Sequence, residues 1–306
     1  MPVIGLGTWK SAPGEIGAAL KEALRIGYRH LDCAAIYGNE AEIGAALRES
    51  FAAGLVRREE LWITSKLWNT AHATKDVVPA LRKTLADLGL DDLDLYLIHW
   101  PVAMRPGSHY PRSGEDMISL DESPLTATWS GMEAAKEAGL ARHIGVSNLS
   151  VAKLGGLLSA AKIRPEVNQI ELHPYLQQSS MIEFCRAEGV QLTAYSPLGS
   201  KDRPEGLKAA DEPVLLEDPT LLEIAKEHDA SVAQVLIAWA VHRRTSVIPK
   251  SVNPKRLAEN LAAAEVSLTA EDMAAIAALD RHRRYIDGSI WAVEGGPYTI
   301  ANLWDE

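Results

Sequence analysis

Cysteine and phenylalanine are scarce in this 306-residue chain, with two of each: Cys33, Cys185, Phe51 and Phe184. Two cysteines allow one bridge at most, which excludes a disulfide framework and fits reduced thiols in a cytoplasmic protein. Positive charge is also in deficit. Lys and Arg number 31 against 41 Asp and Glu, a net charge of −10. Broad electrostatic binding to nucleic acid or to an anionic membrane is therefore not expected. Long apolar runs are missing too. The longest, 232–241, contains Gln234 and is about half a membrane span. The opening MPVIGLGTWK has no basic stretch followed by an apolar one, so a secretory signal is not expected. The same string starts like G-x-G-x-x-G but lacks its third glycine, which argues against a Rossmann fingerprint.

What the chain has in surplus is tryptophan, eight residues against two phenylalanines. Tryptophan suits places that are apolar yet need a donor, so the position of each one matters. The hydrophobic content of 47 % and charged content of 24 % are those of a globular protein with a large core. Short apolar runs alternate with amphipathic ones. Strands are expected at 3–6, 28–32, 61–65, 93–98, 143–146, 166–169, 191–194 and 246–248. Helices are expected at 15–25, 40–51, 75–88, 125–138, 151–160, 180–187, 231–242 and 254–262. In the first helix Ile16, Ala19, Leu20, Ala23 and Leu24 share one face. Alternating strands and helices imply parallel strands with helical crossovers. Eight such units favour a (β/α)8 TIM barrel over an open doubly wound sheet. No composition shift divides the chain, so one domain, 1–306, is expected. Three segments exceed ordinary loops: 101–123, 197–213 and a tail, 281–306, that follows a helix at 270–279. The first two follow strands and would lie on the catalytic face of a barrel, and the tail would close over it.

The residues at the strand ends are chemically specific. Asp32, Lys66 and His99 follow one another at spacings of 34 and 33 residues, one β/α unit each, and Tyr37 lies five residues after Asp32. A phenol ordinarily ionises near pH 10. A nearby ammonium lowers that value, and a carboxylate keeps a buried ammonium charged. Asp32, Lys66 and Tyr37 thus form a tuned general acid, and His99 can donate an N–H to a substrate oxygen. Thr8 beside Trp9, Ser147 with Asn148, Gln169, Tyr195 with Ser196, and Lys250 with Ser251 stand at the remaining ends. No metal-ligand spacing is present.

Here the sequence resembles the aldo-keto reductase superfamily, in particular its aldehyde- and aldose-reductase-like branch. The strings that carry the resemblance are GLGTW (5–9), HLDCAAIYGNE (30–40), LWITSKLW (61–68), DLDLYLIHWP (92–101), IGVSN (144–148), NQIELHPY (168–175), AYSPLGS (194–200) and IPKSVNPKRLAEN (248–260). They cover almost the whole chain in the family's order. The resemblance implies a barrel that binds NADPH across its C-terminal face, with NADH as a weaker alternative, and transfers hydride reversibly between the nicotinamide and an aldehyde or ketone. It implies Asp32, Tyr37, Lys66 and His99 as the catalytic tetrad, the four reached above. It also implies that Thr8, Trp9 and Asp32 border the cofactor. Ser147, Asn148 and Gln169 would hold its carboxamide, Tyr195 would stack on its ring, and Ser196, Leu198 and Ser200 would line the pyrophosphate. A dianionic 2′-phosphate needs cations and free N–H groups, and Lys250, Ser251, Val252 and Arg256 supply both at a helix start. Glu259 and Asn260 would face the adenine. The substrate is a small carbonyl compound enclosed by Trp9, Tyr37, Trp68, His99, Trp100 and Trp291, and the enzyme is expected to be a monomer. Family members usually carry a short hairpin before GLGTW, and the chain as given starts directly before it, so the closure of the barrel's N-terminal face is open.

Two other classes fit part of this pattern: a Schiff-base barrel lyase with Lys66 as nucleophile, and a non-catalytic NADP(H)-binding redox-sensing subunit. Trp62, Trp129 and Trp239 are expected in the core. Trp9, Trp68 and Trp100 are expected beside the tetrad, which gives an aromatic cup suited to a hydrophobic or aromatic carbonyl. Trp291 and Trp304 lie in the tail.

Overall fold

The computed structural model describes residues 1–107, 109–209 and 212–306. Ser108 and the pair Ala210 and Asp211, inside the long segments 101–123 and 197–213, lie outside the described residues. Eight parallel strands follow one another round a single sheet: β1 (Leu6–Gly7), β2 (His30–Asp32), β3 (Trp62–Leu67), β4 (Leu93–Ile98), β5 (Ala141–Ser147), β6 (Val167–Glu171), β7 (Gln191–Tyr195) and β8 (Ser246–Val247). The sheet closes on itself. Gly5 donates its N–H to Val247 O at 2.8 Å, Val247 donates to Val3 O at 2.8 Å, and Gly7 donates to Pro249 O at 3.1 Å. Closure needs a glycine here, because a Cβ on Gly7 would stand 2.7 Å from the Ile248 carbonyl oxygen. This is the expected (β/α)8 barrel, closed and without free sheet edges.

Helices α1 (Ile16–Ile26), α2 (Glu40–Ala52), α3 (Thr74–Leu88), α4 (Leu125–Glu137), α5 (Val151–Ala160) and α6 (Ser179–Glu188) cover the sheet in order. All five apolar residues read on one face of α1 are buried. The helix stops at Gly27, whose φ of 113° suits a left-handed cap. Helix α8 (Val232–His242) starts on a Ser231/Gln234 capping box. Helix α9 (Pro254–Ala262) starts at Asn253, whose side chain accepts the Arg256 N–H. Helix α10 (Ala270–Ala277) is capped by Thr269, and α11 (Ile300–Trp304) ends the tail.

Several expectations shift. The segment after β7 contains an additional helix, α7 (Pro219–Glu227), capped by Asp218. The segment after β4 folds partly into an antiparallel hairpin, Ala103–Met104 against Met117–Ile118. Strand β3 runs on to Leu67, so Lys66 lies inside it, and Gln169 lies inside β6. Trp129 and Trp239 are core residues, each 1 % exposed. Trp62 is not fully buried. It packs against the interior residues Leu95, Leu97 and Val167 at the N-terminal end, with its ring stacked on His143 at 5.1 Å.

Candidate active site

Because side chains alternate along a strand, each strand end can aim one group into the barrel mouth. The ammonium of Lys66 lies 2.6 Å from Asp32 Oδ2 and donates to Cys33 O at 2.9 Å and to Tyr37 Oη at 3.3 Å. All three of its N–H bonds are used, and Lys66 is 1 % exposed, which speaks against a Schiff-base nucleophile. Asp32 is held from the other side by Gln169 Nε2 at 2.7 Å, and Thr8 Oγ1 donates to its carbonyl at 2.8 Å. The Tyr37 ring lies edge-on to His99, with centroids 5.8 Å apart.

The electrostatic balance corrects one expectation. Burial pushes the Tyr37 phenol up, and Lys66 only partly opposes it, so the value is raised to about 12 rather than lowered. Tyr37 therefore keeps its proton at neutral pH, as a donor must. Burial pushes the Lys66 ammonium down, but Asp32 and Tyr37 more than reverse this and raise it to about 12. Burial, followed by the charge of Lys66, holds His99 well below its usual value. The imidazole is neutral, and its Nδ1 is sealed away without a partner among the described residues.

Next to the tetrad, Ser147 Oγ donates to Gln169 O at 2.7 Å, Asn148 Nδ2 donates to His99 O at 2.9 Å, and Tyr195 Oη donates to Asn148 Oδ1 at 2.7 Å. This amide-rich floor leads into a cavity of about 560 Å³. The cavity is lined by Thr8, Trp9, Asp32, Tyr37, His99, Ser147, Asn148, Gln169, Tyr195, Ser196, Leu198, Ser200, Lys250, Ser251, Val252 and Arg256. Trp68, Trp100 and Trp291 form its outer wall. Glu259 and Asn260 do not line it. Glu259 instead pairs with Lys255 at 3.7 Å. Among the described residues no carboxylate pairs with Lys250 or Arg256.

Several lining residues escaped the sequence reading. Lys10 reaches across the mouth to Asp202 Oδ1 at 2.6 Å and Ser200 Oγ at 3.0 Å. It thereby straps the segment after β7 over the cavity. Tyr110 stacks on Trp291 with centroids 6.2 Å apart and lies edge-on to Trp68 at 5.7 Å. Ile286 and Ile290 complete the wall from the tail. Lys10 beside Trp9 at the first strand end was a usable signal. Nothing local marks Asp202 or Tyr110 as their partners. The tail is anchored by Tyr298, whose hydroxyl donates to Ile118 O at 2.6 Å and accepts from Ala103 N–H at 2.9 Å. Trp304 packs behind Trp100, centroids 5.9 Å apart, and donates to Asp287 O at 2.7 Å. It supports the wall and does not line it. The turn between these elements needs Gly288, with φ 80° and the site of its absent Cβ only 2.3 Å from Leu303.

A buried acid–ammonium–phenol chain and a neutral imidazole meet at the C-terminal mouth of a (β/α)8 barrel, an arrangement able to hold a proton beside an enclosed cavity. The Aldo/keto reductase family profile matches residues 3–281, and the chain belongs to that family. It is 58 % identical over 306 residues to an aldo/keto reductase of Synechocystis sp., covering 100 % of this chain and 94 % of that one. It is 50 % identical to human aldo-keto reductase family 1 member A1, covering 94 % of this chain and 88 % of that protein. The aldose reductase structure from Schistosoma japonicum superposes with a TM-score of 0.85 at 39 % identity, covering 100 % of this chain and 93 % of that one. The protein is an oxidoreductase acting on carbonyl groups.

Proposed function

We propose that the protein is an NADPH-dependent aldehyde and ketone reductase, reversible in direction, with Tyr37 as general acid. The observation that carries this reading is the joining, in one cavity, of the Asp32–Lys66–Tyr37 chain to two cations, Lys250 and Arg256, that no carboxylate pairs among the described residues. The cavity fits the cofactor. Lys250, whose ammonium donates only a long bond of 3.3 Å to Lys10 O among the described residues, and Arg256 can take the 2′-phosphate beside the N-terminus of α9, which favours anions. NADH, lacking that phosphate, would bind more weakly. The amides of Asn148 and Gln169 and the Ser147 hydroxyl can hold a carboxamide, the Tyr195 ring can carry an aromatic face, and Ser196, Leu198 and Ser200 can enclose the pyrophosphate. Glu259 and Asn260 follow on α9 toward the adenine end. Lys10 and Asp202 would latch the strap across the bound molecule.

When bound, NADPH supplies the hydride that a carbonyl carbon accepts. The chain does the rest. His99, neutral, donates a hydrogen bond to the carbonyl oxygen and orients it between Trp68 and Tyr37. Tyr37 passes its proton to that oxygen as charge builds there. Lys66 stabilises the phenolate left behind, and Asp32 with Gln169 keeps Lys66 in place and charged. Trp9, Trp68, Trp100 and Trp291 exclude water and favour a hydrophobic or aromatic carbonyl compound. The enzyme is proposed to act as a cytoplasmic monomer. No helix of the described residues is long and apolar enough to cross a membrane. Steady NADPH oxidation by the purified protein with an aromatic aldehyde tests the reading. Cofactor binding without turnover across aldehydes, ketones and dicarbonyls would instead favour the non-catalytic, redox-sensing alternative.

A further inference from the structure

Strand alternation places Val167, Gln169 and Glu171 on the interior face of β6. Gln169 serves Asp32, but Glu171, one step higher and 1 % exposed, has no place in the proton chain. Burying a carboxylate is costly unless several donors meet it. Glu171 accepts the backbone N–H of Tyr285 at 2.6 Å, that of Ile286 at 2.8 Å, and a bond from His173 Nε2 at 2.8 Å. No lysine or arginine pairs with it among the described residues. Its two oxygens thus meet two consecutive amides of the tail and one imidazole.

Those two residues face different ways. Ile286 lines the substrate cavity. The Tyr285 hydroxyl donates to Pro213 O at 2.6 Å, and its ring lies 5.0 Å from the Arg203 guanidinium and against Gly199. Arg203 pairs with Glu212, which also lies 3.7 Å from Arg283 of the tail. Gly199, Arg203 and Pro213 belong to the segment that Lys10 straps over the cavity. One short stretch of tail therefore touches a barrel strand, the strap and the substrate wall.

We propose that Glu171 is a positioning residue that fixes the tail at 285–286, and that Tyr285 couples the cofactor strap to the substrate wall. NADPH binding then orders the pocket for bulky carbonyl compounds. This rests on the reductase reading above. The test uses Glu171→Gln and Tyr285→Phe in the full chain, with the thermal midpoint of each as a check on folding. Hydrogen exchange of the 283–291 amides in cofactor-free protein is expected to quicken about tenfold in Glu171→Gln. NADPH is expected to slow exchange in both strap and tail of the wild type, but only in the strap of Tyr285→Phe. With NADPH, Glu171→Gln should raise KM for a bulky aromatic aldehyde about tenfold, while kcat for a short aliphatic aldehyde stays within about twofold. Unchanged tail exchange in folded Glu171→Gln overturns the anchor. Equal protection of the tail in Tyr285→Phe overturns the coupling. A wild type that oxidised no NADPH would overturn the reductase reading instead, and exchange in the cofactor-free protein would still judge the anchor.

Discussion

The two halves of the cavity are built on different principles. Toward the barrel, functional groups stand on or beside sheet strands and are fixed by hydrogen bonds, such as 2.6 Å from Lys66 to Asp32 and 2.7 Å from Gln169 to Asp32. Toward solvent, the wall is made of rings from the short loop after β3, the long segment after β4 and the tail, meeting at centroid separations such as 5.7 Å for Trp68 and Trp291 and 5.6 Å for Trp100 and Trp291. Proton transfer needs atoms held to fractions of an ångström, and a backbone locked in a closed sheet supplies that. Enclosing an apolar substrate needs only surface and exclusion of water, which packed rings on loops supply. Changes in the strand-end half should therefore alter turnover, cofactor affinity or fold stability whatever the substrate. Changes in the ring wall should depend on substrate size.

The sharpest contrast comes from Tyr37→Phe. Removing the hydroxyl deletes the proposed proton donor and leaves a ring of the same shape. Reduction of every aldehyde should fall by roughly a hundredfold to ten-thousandfold, with NADPH affinity nearly unchanged by fluorescence titration. Turnover close to wild type would end the general-acid assignment. Next is the pair Lys250→Ala with Arg256→Ala, between β8 and the first turn of α9. Two charge-assisted contacts would be lost to a phosphate that NADH does not carry. NADPH affinity is expected to drop roughly a hundredfold and NADH affinity by no more than about threefold. Equal losses for the two cofactors would remove the 2′-phosphate from this rim.

The polar half was legible in the sequence because its chemistry is periodic. Asp32, Lys66 and His99 recur once per β/α unit, so reading the strands located the residues. The aromatic half has no period. Trp68 and Trp291 meet only because the chain folds back on itself, and Tyr110 joins them from a segment whose hairpin is two residues per strand, too short for alternation to show. Helix α7 was missed although Asp218 and Pro219 form a readable start, because one helix per strand already satisfied the pattern. The sign of the Tyr37 shift was also out of reach. It depends on how far burial outweighs the neighbouring ammonium, and residue types alone do not say.

Glu40 tests how the strand-end half is supported from behind. Glu40 is 3 % exposed, and among the described residues its carboxylate accepts bonds only from hydroxyls, Ser65 Oγ at 2.5 Å and Thr84 Oγ1 at 3.1 Å. Burial raises it from 4.5 to about 7 despite these bonds. Below the unfolded value both states are protonated and nothing is lost. As pH rises from about 4.5 to about 7 the unfolded chain releases a proton that the folded one keeps, so stability falls across that window and then levels off. Glu40→Gln should abolish this slope and gain up to about 3 kcal/mol at about pH 8, by urea unfolding at several pH values. A variant whose slope matches wild type would mean that Glu40 is ionised in the fold.

The smallest effect belongs to the ring wall, and it separates the two halves most directly. Trp291 is 1 % exposed and packs among Trp68, Trp100 and Tyr110. Trp291→Ala removes a large part of the apolar surface a bulky substrate would cover, while leaving Tyr37, His99 and Lys66 with their own partners. KM for a bulky aromatic aldehyde should rise about tenfold. For a short aliphatic aldehyde, which makes little contact with the outer rings, both kcat and KM should stay within about twofold. A matched loss of kcat for both substrates would show that the rings also hold the tetrad in place, and the division of labour between the two halves would be wrong.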